Sequence, residues 1–166
     1  VDTYSNFAGG YLNASRWGKS EVEERYDHIK RHSSVDKWLP DYYQDVREEL
    51  TEEDNGAIGA FGFSESGTAL FPFNKGVIRQ LVRSYFKKGE QFEFNPRRLI
   101  NLVLRDTLVD HRRDFEAGVF PPAKFQDFDR NQAELSVLDE VKRKFLPHEK
   151  NRAEAFVYYW GDNPKT

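Results

Sequence analysis

Apolar residues recur at helical spacing in three stretches of the chain. Val77, Ile78, Leu81, Val82, Tyr85 and Phe86 share one side of a 3.6-residue helix. Asn74 stands before that helix as a cap, and Lys87, Lys88 and Gly89 close it, with the cations placed where the helix dipole favours them. Asn95-Pro96 opens a longer helix, Asn as N-cap and Pro at N1, which runs over 95–116 to Gly118. Leu99, Ile100, Leu102, Val103, Leu104 and Leu108 make its first half apolar nearly all round, which predicts a central place. Pro121-Pro122 ends that stretch. Val137, Leu138, Val141 and Phe145 then mark a helix over 130–146, and Pro147 separates it from a last helix over 149–160, stopped by Gly161.

The first third is less regular. Residues 1–19 scatter Gly9, Gly10 and Gly18 among Tyr4, Phe7, Tyr11 and Trp17, and predict an irregular segment. Ser20 with Glu23 is a capping-box pattern and predicts a polar helix over 21–32. A second helix is predicted over 35–50, broken or restarted at Pro40. In 57–73, AIGAFGF and TALFPF are short apolar runs joined by SESG and predict two short strands or a hairpin. The expected fold is mainly α: a helical bundle of five to six helices with a small β-hairpin near 57–73. Composition changes at residue 57. It suggests an N-terminal irregular segment with acidic helices over 1–56 and a helical domain over 57–166, the whole being small enough for one compact domain.

Composition narrows the class. The chain has 166 residues, and its aromatics (14 Phe, 8 Tyr and 3 Trp) must supply much of the core, because apolar residues make up only 38%. A net charge of −3 with 32% charged residues argues against disorder. No run of about 18 apolar residues suggests a membrane helix. Cysteine is absent, which excludes disulfides, thiolate metal sites and cysteine nucleophiles and fits a cytoplasmic setting. Methionine is also absent and the chain opens on Val1, so the expectation is a piece of a longer protein.

Charge is unevenly spread: 12 acids and 5 bases over 20–55, but 10 bases and 4 acids over 75–113. An anionic partner for the second stretch is the natural expectation. Lys75, Arg79, Arg83 and Lys87 recur every four residues, and Arg98, Arg105 and Arg112 every seven, so an α-helix would align each set for phosphates, with a solvated face as the bland alternative. In FNPRRLINLVL, over 94–104, Arg97 and Arg98 stand in the first turn of a capped helix, where free N–H groups and the dipole favour an anion. Other patterns carry less. NASRWGKS, over 13–20, has the tail of a P-loop but Asn13 where the motif needs Gly, and reads as a turn. His28 and His32 lie at i, i+4 without the Glu between them that zinc sites of the H-E-x-x-H type carry, and no metal is expected there. The acidic DVREELTEED, over 45–54, reads as a solvated helix end.

The capped Asn95-Pro96-Arg97-Arg98 and the apolar helix behind it resemble the sensor-2 helix in the lid of AAA+ ATPases. By that resemblance Arg97 takes the place of the arginine that reaches the γ-phosphate, and Arg98 is its neighbour. The family's usual Gly two positions before the Pro is Phe94 here. More widely, ALFPFNKGVIRQLV, NPRRLINLVLRDTL, FEAGVFPP and FVYYWGDNP resemble the C-terminal part of large P-loop ATPases of bacterial DNA-restriction and phage-defence systems, the phosphorothioation-dependent (Dnd-type) group above all. The resemblance spans about 57–164 and implies a lid-like helical region. It also implies ATP and Mg bound by the parent protein, with the rest of that ATPase, DNA and other restriction-system subunits as partners. Walker A and Walker B motifs are absent from the chain, so this stretch alone is not expected to hydrolyse ATP. Two other readings stand beside it: a helical DNA-binding or adaptor module whose basic face, Lys75, Arg79, Arg83, Lys87, Arg105 and Arg112, meets phosphates without any nucleotide role, and an interaction domain with Trp17, Trp38 and Trp160 at partner surfaces.

Overall fold

The computed structural model describes residues 2–32, 38–86, 94–126 and 135–161. Lys87, the Gly89 stop and the predicted helix starts at 35–37 and 130–134 lie outside the described residues. Two compact units are present, Val1–Lys75 and Gly76–Thr166. Position 56, where composition changes, falls inside a helix of the first unit.

In the first unit, α1 (Asp2–Trp17) and α2 (Lys19–His32) are joined at Gly18. A helix here corrects the irregular segment expected over 1–19. The stripe that α1 buries is Ser5, Ala8, Gly9, Leu12 and Asn13, mostly small or polar, so no apolar period advertised it. Tertiary contact overrides the glycine penalty. A Cβ on Gly9 would sit 3.2 Å from Ser64 Oγ and 3.3 Å from Thr68 Cβ, so the glycine lets the helix lie close on the 64–68 turn. Gly18, at φ 79°, supplies the left-handed residue that ends α1. α2 therefore starts at Lys19, and Ser20 lies within it rather than capping it, which corrects the predicted capping box.

Pro40 does interrupt the helix predicted over 35–50: the short α3 (Tyr42–Asp45) starts beyond it, followed by a 3₁₀ turn (Arg47–Glu49). The β-hairpin is also corrected. Thr51 and Asp54 form a capping box, the Thr51 hydroxyl accepting from the Asp54 N–H at 3.1 Å, and α4 (Glu52–Phe61) runs through AIGAF. What remains of the hairpin is one antiparallel bridge, Phe63 with Ala69, around the turn at Gly67. The core of this unit gathers Ala8, Leu12, Ile58, Ala69, Leu70 and Phe73.

The second unit matches its periodicity more closely. α5 (Lys75–Phe86) buries Val77, Ile78, Leu81, Val82 and Phe86 as the spacing predicts. One helical run then spans α6 (Pro96–Arg98), a π-helix (Leu99–Asp110) and α7 (Arg112–Glu116). Its extent is the predicted one, but its winding is not: π-helices bond i to i+5 and are usually single-turn bulges. Only Leu99, Val103, Leu104 and Thr107 of the π segment are buried, and Leu102 is 37% exposed, so the helix is apolar on one face rather than all round. A 3₁₀ turn (Ala123–Gln126) follows the buried Pro121 and Pro122. α8 (Leu135–Lys144) packs on α9 (Lys150–Trp160), which packs on the 3₁₀ turn, with Phe125 and Trp160 rings 5.3 Å apart at their meeting point. Gln80 Nε2 ties α5 to α9 by donating to the Tyr158 carbonyl at 2.8 Å. Among the described residues the fold is thus mainly helical, and no helix is long and apolar enough to cross a membrane.

Candidate functional site

The helix start at 95–98 is built as its sequence dictates. Asn95 is extended (φ −125°, ψ 96°), its Oδ1 accepts the Arg98 N–H at 3.0 Å, and Pro96 occupies N1. Asn95, Pro96, Arg97 and Arg98 are all exposed.

The two arginines differ in what they touch. Arg98 Nη2 donates to the Tyr85 carbonyl at 2.7 Å, and its guanidinium lies 4.7 Å from the centre of the Phe86 ring. That bond gives the Tyr85 carbonyl a side-chain donor, and the ring contact adds cation–π attraction. Arg97 forms no hydrogen bond or ion pair with any described residue, so its fork of donors is open to a ligand.

The predicted basic stripes are partly dispersed. On α5, Lys75 and Arg79 are half-buried and Arg83 is exposed. Arg79 Nε is buried without a hydrogen-bond partner among the described residues, so Arg79 sits at the edge of the core rather than on an open face. Arg98, Arg105 and Arg112 do not line up as an α-helix would align them: the π winding holds more than 3.6 residues per turn, and seven residues no longer complete two turns. Arg112 is also engaged, its Nε 2.6 Å from Glu116 Oε1. Arg105 is exposed.

The remaining candidates have structural roles. Gly18-Lys19-Ser20 is the joint between α1 and α2, the Gly18 N–H donating to the Ala14 carbonyl at 3.1 Å. The acidic stretch 45–54 ends in the Thr51–Asp54 capping box. Among the described residues no group of three or more His, Cys, Asp or Glu is placed to hold a metal ion. Trp17 donates to the Pro40 carbonyl at 2.9 Å under the Arg25 guanidinium, Trp38 lies edge-on to Tyr26, and Trp160 is only 6% exposed, so none stands as a bare partner contact.

Two polar clusters have no signal in the pattern of residues along the chain. In the first unit, Arg16 donates to the Ala69 carbonyl at 3.0 Å and to the Phe71 carbonyl, over the Tyr43 ring; burial pulls its pKa below the usual arginine value, against the raising influence of Tyr43 and Asp41. In the second, Lys124 pairs with Asp106 and lies 3.5 Å from the buried Thr107 hydroxyl. Burial pulls the Lys124 ammonium down to about 8 despite the carboxylate beside it. Scans against family models, characterised proteins and solved structures return no match.

Proposed function

We propose that the chain is a lid-like helical element which presents Arg97 to a nucleotide γ-phosphate held by a P-loop core outside these residues, in an ATPase that acts on DNA. The observation that carries this reading is the contrast between neighbours. Arg98 is tied to Tyr85 and Phe86, whereas Arg97 is exposed and, among the described residues, unengaged at a capped helix start that favours anions. The resemblance of 94–104 to sensor 2 supplies the identity of the anion. ATP and Mg would belong to the core, and Arg97 would stabilise charge on the transferring phosphoryl group.

The test uses a protein in which this chain is joined to its P-loop core. Arg97→Ala should lower ATP turnover about ten-fold or more, the scale of one lost charge stabiliser, with the melting temperature unchanged. Arg98→Ala should do the reverse, costing about 1 kcal/mol of stability through the lost Tyr85 bond while turnover holds. Equal turnover losses at both positions would favour a general basic patch, and no loss at Arg97 would end the lid reading.

A further inference from the structure

A cavity of about 220 Å³ lies in the second unit, walled by Phe120, Phe145, Phe156 and Val157 together with two charged side chains, Glu149 and Arg152. Phe145 and Phe156 are 45% and 38% exposed, and Leu146, next in sequence to Phe145, is 59% exposed. Large apolar side chains left open to water around one cavity mark a place where something apolar docks. Two of the rings are held in place. Phe120 meets the Trp160 ring edge-on at 5.1 Å, Phe156 stacks on it at 5.6 Å, and Trp160 itself is buried.

Glu149 and Arg152 stand three positions apart, a spacing at which opposite charges on a helix commonly pair. Here each is engaged elsewhere. Arg152 Nη1 donates to the Gly118 carbonyl at 2.7 Å, Glu149 Oε2 accepts the Leu146 N–H at 3.3 Å, and both bonds lie at the surface. The other guanidinium donors and Glu149 Oε1 have no partner among the described residues. Both side chains are half-buried, so each keeps contact with solvent. The cavity thus offers aromatic rings, a cation with a fork of donors, and a carboxylate acceptor one helical turn away. The volume lies below the roughly 300–1,000 Å³ of drug-sized pockets and suits one aromatic side chain.

We propose that this cavity binds an aromatic amino-acid residue with a free α-carboxylate: the ring lies against Phe120, Phe145 and Phe156, the carboxylate meets Arg152, and the α-nitrogen donates to Glu149. A guanidinium fork matches a carboxylate, and aromatic rings attract one another edge-on or offset. A bare ammonium ligand, which aromatic rings also attract, would meet the Arg152 cation in the same cavity. An apolar acid without a nitrogen would leave Glu149 unanswered. The same chemistry occurs in a free amino acid, whose α-nitrogen is an ammonium, and in the last residue of a peptide, whose α-nitrogen is an amide N–H. This proposal is independent of Arg97 and of any ATPase.

The full chain should be titrated with L-phenylalanine, N-acetyl-L-phenylalanine and L-phenylalaninamide, by calorimetry or by NMR. At least one of the two carboxylates should bind saturably, and the amide about ten-fold more weakly or worse. Tighter binding of L-phenylalanine assigns the site to the free amino acid, and equal or tighter binding of the N-acetyl form assigns it to a peptide C-terminus. Arg152→Gln should remove the preference for carboxylate over amide. If that variant fails to fold, Phe145→Ala at an exposed position should still fold and lose about ten-fold in affinity for the carboxylate that binds. The proposal is overturned by absence of saturable binding of either carboxylate, by equal affinity for carboxylate and amide, or by an affinity that no folded variant changes.

Discussion

Asn13 shows how much one side chain can organise here. Its Nδ2 donates to the Pro40 carbonyl at 2.8 Å and its Oδ1 accepts the Tyr42 N–H at 2.8 Å, so a single amide spans the turn that leads into α3. At 3% exposure it has little water to fall back on. Asn13→Ala should therefore cost about 1–3 kcal/mol in urea unfolding, because the buried amide's acceptor for the Tyr42 N–H is lost, while the Pro40 carbonyl keeps the Trp17 indole as a donor. Lys124 makes a prediction in pH. Its folded pKa of about 8 lies below the ordinary 10.5, so the unfolded chain holds the extra proton between those values. The penalty for burying the ammonium is full below about pH 8 and fades as pH rises toward 10.5. Relative to Lys124→Met, the wild-type chain should thus gain stability between pH 8 and pH 10, read as a change in the gap between their melting temperatures; a constant gap would show that Lys124 titrates as an ordinary surface lysine.

Among the elements, the π-helix makes the clearest demand. Leu99 and Leu104 are 0% and 1% exposed, and truncating either to Ala should cost about 2–5 kcal/mol. Leu102→Ala, on the open side, should cost under about 1 kcal/mol, and comparable losses at all three would restore the all-round apolar helix that the sequence suggests. Thr51→Ala should cost about 0.5–2 kcal/mol through the capping box of α4. These elements also show what can be read from sequence. α5 and the start at Asn95 were legible because apolar spacing and cap chemistry agreed. α1 was not, because Ser5, Gly9 and Asn13 share its buried stripe with Ala8 and Leu12 and leave too few large apolar residues to show a period. α4 was misread because AIGAF suits a strand as well as a helix, and the decisive cap lies six residues upstream of Ala57, in a run that looked merely acidic. The predicted site was half legible. The capped start at 95–98 formed as read, but the division of labour between Arg97 and Arg98 depends on the contacts of Arg98 with Tyr85 and Phe86 on another helix, which no local pattern encodes.

For the molecule as a whole, charge divides along the two units. Residues 1–75 carry 14 acids and 8 bases, and residues 76–166 carry 14 acids and 17 bases. The excess of bases, which would attract nucleic-acid phosphates, lies in the second unit, against a net charge of −3 for the chain. If the second unit binds DNA directly, retention at low salt should fall with a log–log slope of roughly −0.9 per phosphate contacted. Arg83→Glu with Arg105→Glu should then abolish it. Both side chains are exposed, unlike Arg79, and a melting curve of the variant separates lost binding from lost fold. Retention that is unchanged would remove the basic face from consideration.

The clips that α1 places on distant chain have a kinetic consequence. Asn6 Oδ1 accepts from the Ser66 N–H, and Arg16 donates to the Ala69 and Phe71 carbonyls, so α1 meets partners 53 to 60 positions away. Helical proteins commonly fold in microseconds to milliseconds because their contacts are local. The first unit, though helical, cannot close its core until residues 64–71 have returned to α1, and the entropy of that long loop must be spent beforehand. Its refolding should accordingly fall nearer the millisecond-to-second range of sheet proteins, followed through the fluorescence of Trp17, which sits at the end of α1 against Tyr42 and the Pro40 carbonyl.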